Sequence, residues 1–124
     1  MSKTIQFEEL TYKINGAIYE VNKVLGSGFL EKVYENALFL ELTSRGINAA
    51  CQVPISVQYK ENTVGEYIAD MVVENSVLVE IKAVDALQKI HEAQLLNYLK
   101  ATGYKIGLLV NFSHPKAVIK RFVM

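Results

Sequence analysis

The stretch that most limits what this chain can become is VLVEIKAV, residues 77–84. Val, Leu, Val, Ile, Ala and Val suit a buried strand, yet Glu80 and Lys82 stand among them, and each must reach water or be held by a partner. Side chains alternate along a strand, so Glu80 and Lys82 share a face with Leu78 while Val77, Val79 and Ile81 share the other. The preceding stretch has the same contradiction, with Asp70 inside IADMVV, residues 68–73. A Glu-x-Lys pattern alone is most often a solvated pair on a strand face. Two carboxylates on consecutive apolar strands need a common partner.

Whether they meet is a question of register. Paired residues of an antiparallel hairpin have a constant index sum, and Asp70 shares a face with Glu80 only if that sum is even. An odd loop such as 74–76, or a bulge, satisfies this. A two-residue turn at Asn75-Ser76 puts Asp70 opposite Ile81 instead.

Periodicity supplies the surrounding elements. Leu10, Ile14, Ala17, Ile18, Val21, Val24 and Leu25 fall three and four apart, which predicts a helix over 8–25. Gly26-Ser27-Gly28 breaks it, and a second helix runs from Phe29 to a stop at Arg45-Gly46, with Glu31 and Glu35 on one face. After Cys51 the period becomes two, a strand with one wet face, and Pro54 puts it near an edge or at a strand start. Strands follow at 64–74 and 77–84, then a helix over 86–102 that is apolar around much of its circumference and so expected to be well buried. Gly103 ends it, and strands at 105–112 and 117–124 complete the chain. Short turns make the first three strands antiparallel, and the helix crossover makes the fourth parallel to the third. The expected fold class is α/β, a mixed central β-sheet flanked by helices in the order α-α-β-β-β-α-β-β, forming one domain over residues 1–124.

Of the 124 residues, 51% are hydrophobic and 21% charged, which excludes a disordered tail or a coiled coil. Thirteen basic and thirteen acidic residues cancel, so nucleic-acid binding would need a local patch or metal ions. The single Cys51 excludes an internal disulfide and multi-cysteine zinc sites. It reads as a small half-buried residue entering a strand. MSKTIQFEEL has no apolar core of signal-peptide length and no run approaches the roughly 20 residues that span a bilayer, so no membrane and a cytoplasmic setting are expected.

If the register holds, Asp70, Glu80 and the backbone carbonyl of Ile81 offer hard oxygen ligands at one point, suited to Mg²⁺ or Mn²⁺. Lys82 beside that ion would stabilise charge on a phosphoryl oxygen or position a water. These residue types are what metal-dependent phosphodiester hydrolysis requires.

Asp70, nine residues, then Glu80-Ile81-Lys82 resembles the D…ExK core of the PD-(D/E)XK nuclease superfamily, with its restriction-endonuclease-like core of helix, three strands, helix, strand. Gln94-Leu95-Leu96-Asn97-Tyr98 is similar to the QxxxY motif of lambda-exonuclease-like and RecB-like nucleases. Gly28-Phe29-Leu30-Glu31-Lys32-Val33-Tyr34 resembles the signature of the small prokaryotic GxxExxY branch. Ala69 stands where the superfamily often has proline before its aspartate. The resemblance implies a Mg²⁺- or Mn²⁺-dependent nuclease acting on DNA, with Asp70 and Glu80 as metal ligands and Lys82 activating or orienting water. It makes Glu31 an outer ligand, and Gln94 and Tyr98 the residues that orient the lysine or a phosphate. The rival reading is a nuclease-fold module that binds nucleic acid or a protein without cutting. A small-molecule phosphoesterase is a third reading, and a symmetric homodimer would enlarge the small footprint.

The remaining polar residues get plainer expectations. Glu35 reads as a helix-surface charge, Asp85 as a cap for the helix after it, and His91 and His114 as surface or capping residues. The dispersed Lys89, Lys100, Lys105, Lys116, Lys120 and Arg121 read as a solvated surface.

Overall fold

A computed structural model describes residues 3–113 and 115–124, so His114 lies outside the described residues. The elements are α1 (Lys3–Leu25), α2 (Glu31–Ser44), β1 (Ala49–Tyr59), β2 (Asn62–Val73), β3 (Val77–Lys82), α3 (Lys89–Thr102), β4 (Ile106–Asn111) and β5 (Val118–Val123). The sheet runs β1-β2-β3-β4-β5, with β3 and β4 parallel and the other neighbours antiparallel. This is the expected α/β class and element order, and β1, which contains Pro54, is an edge strand.

The two faces of the sheet carry separate cores. Ile14, Ile18, Tyr34, Leu38 and Leu42 of α1 and α2 pack on Met71, Val79, Ile81, Leu108 and Val110. Leu95, Tyr98 and Leu99 of α3 pack on Ile55, Ala69, Leu78 and Leu109. Gly107 lets α3 come close, since a Cβ there would stand 2.9 Å from a Leu95 methyl.

Three local expectations need correction. The helix after β3 starts at Lys89, not 86, and its cap is formed by Gln88 and His91, whose Nδ1 accepts the Gln88 N–H at 3.0 Å. Asp85 sits earlier, in the bend between β3 and α3. Nor is α3 buried all round: Leu95, Tyr98 and Leu99 form its inner face, while Ile90 is 68% exposed. Its apolar outer residues thus line a surface rather than fill a core. Glu35, finally, is only 3% exposed and no surface charge.

Candidate active site

The β2–β3 loop decides the geometry. Glu74 and Asn75 have φ of 51° and 50°, and the Ser76 N–H bonds the Val73 carbonyl at 3.0 Å, the pattern of a tight primed turn. Ser76 is then one unpaired residue, and the observed pairs Met71–Val79, Val72–Leu78 and Val73–Val77 share the index sum 150. The loop 74–76 is the odd one, and Asp70 falls opposite Glu80.

At that point the backbone ladder stops and side chains replace it. The Asp70 N–H donates to Glu80 Oε2 at 2.7 Å, and the Ile81 N–H donates to Asp70 Oδ2 at 2.8 Å. The cause lies on the other side of β2. Gln52, facing Asp70 on β1, has φ of 54°, a left-handed backbone that is costly outside glycine. Across it the strands change face: Cys51 and Met71 pack toward α1 and α2, whereas Val53 and Ala69 pack toward α3. Strand β2 therefore parts from β3 where Asp70 stands, and its carboxylate fills the fork. Cys51, half-buried beside the fork, has its thiol pushed up by burial and by the charge of Glu35.

The electrostatics follow from this placement. Glu80 is 4% exposed, and burial with the adjacent Asp70 charge pushes its carboxyl up to about 8. Burial also raises Asp70, opposed by the Ile81 N–H and reinforced by the charge of Glu35. Glu35 reaches the same neighbourhood from α2, accepting hydrogen bonds from Lys32 Nζ and Gln52 Nε2, both at 2.7 Å. Asp70 and Glu80 thus share the fork, and Glu35, itself bonded to Lys32 and Gln52, adds its charge at Asp70. Lys82 adds an opposite charge felt by both.

Two hard-oxygen carboxylates held together against their mutual repulsion have the donor chemistry that a divalent cation accepts. Asp70 and Glu80 each accept one backbone N–H, and their carboxyl groups also meet each other. Among the described residues no three His, Cys, Asp or Glu side chains are grouped to enclose a metal. Such an open set suits an ion that keeps several waters and accepts phosphate oxygen rather than a closed structural zinc site.

The model of the PD-(D/E)XK nuclease superfamily matches residues 8–122. The chain belongs to that superfamily. No curated protein matches it. A solved structure titled "Crystal structure of SSO0001" is similar with a TM-score of 0.59 and 18% identity, covering 96% of this chain. This chain spans only 60% of that one. At that identity the likeness concerns the fold.

Against the superfamily's D…ExK pattern, Asp70, Glu80 and Lys82 stand at one end of the β2–β3 hairpin. Gln94 and Tyr98 lie together on α3, the Gln94 Nε2 donating to the Tyr98 hydroxyl at 2.9 Å. Burial and the Glu80 charge raise the Tyr98 phenol, and its ring packs in the cluster of Ala69 and Leu78 on the α3 face of the sheet. Glu31 is exposed in the first turn of α2, while Glu35, one turn on, is the carboxylate that reaches Asp70. The signal for Glu35 was present, since it lies three and seven residues before Leu38 and Leu42 on the core stripe of α2. Tyr34 of the GxxExxY stretch has a different task. It stacks on Phe112 at 4.5 Å and its hydroxyl donates to the Gly26 carbonyl at 2.6 Å, fixing the loop between α1 and α2.

Proposed function

We propose that this nuclease-superfamily chain hydrolyses phosphodiester bonds in DNA with Mg²⁺ or Mn²⁺, as a member of the GxxExxY branch. The observation that carries the reading is the pairing of Asp70 and Glu80 across the hairpin, where Glu80 accepts the Asp70 N–H and Asp70 accepts the Ile81 N–H, a half-buried and a buried carboxylate with raised pKa beside Lys82. Asp70, Glu80 and the Ile81 carbonyl would hold the ion, with Glu35 taking the outer place first given to Glu31. The ion, when bound, supplies Lewis-acid neutralisation of phosphoryl charge. Lys82 places an ammonium beside the scissile phosphate to stabilise developing negative charge and to orient the attacking water. Gln94 and Tyr98 form the α3 wall of the site and position the substrate's phosphate or the lysine.

The test is incubation with plasmid, linear duplex and single-stranded DNA under Mg²⁺ and Mn²⁺. Asp70→Ala and Lys82→Ala are expected to lower the cutting rate by at least about 100-fold with the fold intact by circular dichroism. Full activity in either variant rejects the mechanism. Calorimetric titration with Mn²⁺ separates the enzyme from a non-cutting module. Binding lost in Asp70→Ala supports the enzyme, and absence of binding at millimolar metal favours the module.

A further inference from the structure

We infer that the groove between α3 and the outer half of the β1–β2 hairpin holds an unpaired nucleobase, so that the nucleic acid entering this site is single-stranded. The inference rests on the nuclease reading and names the strand state of its substrate.

The groove has a volume of about 740 Å³, the size of a small-molecule site, and its walls include Tyr67, Ile90, Gln94, Asn97, Tyr98 and Lys100. The Tyr67 ring lies 5.6 Å from that of Tyr98, tilted by 47°, and Tyr67 is 50% exposed, so part of an aromatic surface is open to a ligand. The polar members are matched to a nucleotide. Asn97 offers amide donors and an acceptor for a base edge, and Lys100 is a cation for a phosphate. Among the described residues no carboxylate lines the groove, which complements a polyanion. Tyr98 joins the groove to the fork, since it lines the groove and packs in one cluster with Ala69, the residue before Asp70. A base resting on Tyr67 is thus held on the wall that Tyr98 shares with the residues beside Asp70.

The strand state follows from what such a wall can touch. A duplex shows proteins its phosphates and base edges, and its base faces are stacked away. Only an unpaired base offers a face to Tyr67. Duplex binding would also lean on many phosphate contacts, and this chain has a formal net charge of zero. Stacking is the attraction the groove has available.

The experiment uses the full chain in EDTA, where no metal-dependent cutting intervenes. An oligonucleotide carrying 2-aminopurine is titrated as a single strand and as a hairpin duplex. The chain has no Trp to obscure the probe. The single strand is expected to bind more tightly, with its fluorescence quenched. Tyr67→Ala is expected to weaken it by about 5- to 100-fold, and Tyr67→Phe, which keeps the ring, to leave it unchanged. Duplex preference, unchanged binding by Tyr67→Ala, or no binding of either form overturns the inference. Each of those results leaves the carboxylate site to be judged by cutting under Mg²⁺. Tight Tyr67-dependent binding with no cutting under any metal would instead reject the nuclease reading and keep the groove.

Discussion

Glu80 is the residue in which fold and chemistry oppose each other. Its carboxyl stands at about 8 rather than the ordinary 4.5 because burial and the Asp70 charge both disfavour ionisation. The folded chain therefore binds that proton more tightly than the unfolded chain. The resulting stability is fully present below pH 4.5 and is lost as pH rises through about 8, and Asp70, shifted the same way, adds to it. In EDTA the urea midpoint is expected to fall between about pH 5 and pH 9, and Glu80→Gln, whose amide oxygen still accepts the Asp70 N–H, is expected to flatten that slope. A midpoint that rises over the same range would show the carboxylate is not held neutral. Metal binding should release protons over the same range, so apparent Mn²⁺ affinity is expected to increase toward pH 8. Asp70 and Glu80 were legible because apolar strands make a lone carboxylate conspicuous. Glu35 was not read correctly, since its burial depends on Gln52, seventeen residues along the chain on another element. The notice it gave in sequence was a place on the same stripe as Leu38 and Leu42, which a reading of charge alone passes over.

At the scale of elements, two contacts set where the site stands. Tyr34 is fully buried, and its hydroxyl both donates to the Gly26 carbonyl and accepts the Phe29 N–H at 3.3 Å. Tyr34→Phe keeps the stack on Phe112 but orphans those groups, and is expected to cost about 1 kcal/mol in denaturant unfolding. Gly107 governs the approach of α3. Gly107→Val would drive a branched side chain into Leu95 and Leu99, whose methyls already stand 2.9 and 3.1 Å from a bare Cβ. Overpacking of this kind costs about 1–3 kcal/mol and would push α3, with Tyr98 and Gln94, away from the fork. The expected readout is reduced stability together with weaker single-strand binding, and unchanged binding would mean that α3 does not set the groove. The helix–strand order was readable from period alone, including the parallel crossover through α3. The face change at Gln52 was not, because a residue with positive φ inside a strand leaves the alternation of the sequence looking regular. The exposed side of α3 was hidden for a related reason: Ile90 is as apolar as a core residue, and only the position of the β1–β2 hairpin leaves it bordering an open groove.

At the scale of the whole molecule the balance of charge decides how a polyanion can be held. Thirteen basic residues are offset by thirteen acidic ones, and several of the former are already engaged. Lys32 pairs with Glu35, Arg45 with Glu41 and Lys120 with Glu92. Lys100 in the groove and Lys82 at the fork are the cations placed along the path from Tyr67 to Asp70. Each phosphate neutralised on a single strand contributes about −0.7 to the slope of log K against log salt concentration. Two or three contacts therefore give a slope of about −1.4 to −2.1, a loss of about 10-fold in affinity between 50 and 200 mM salt. The measurement is the 2-aminopurine titration repeated across that range in EDTA, with Lys100→Ala expected to make the slope shallower by about 0.7 while Tyr67→Ala lowers affinity at every salt concentration and leaves the slope alone. A slope steeper than about −5 would mean that an extended phosphate-tracking surface, and not the aromatic groove, holds the nucleic acid.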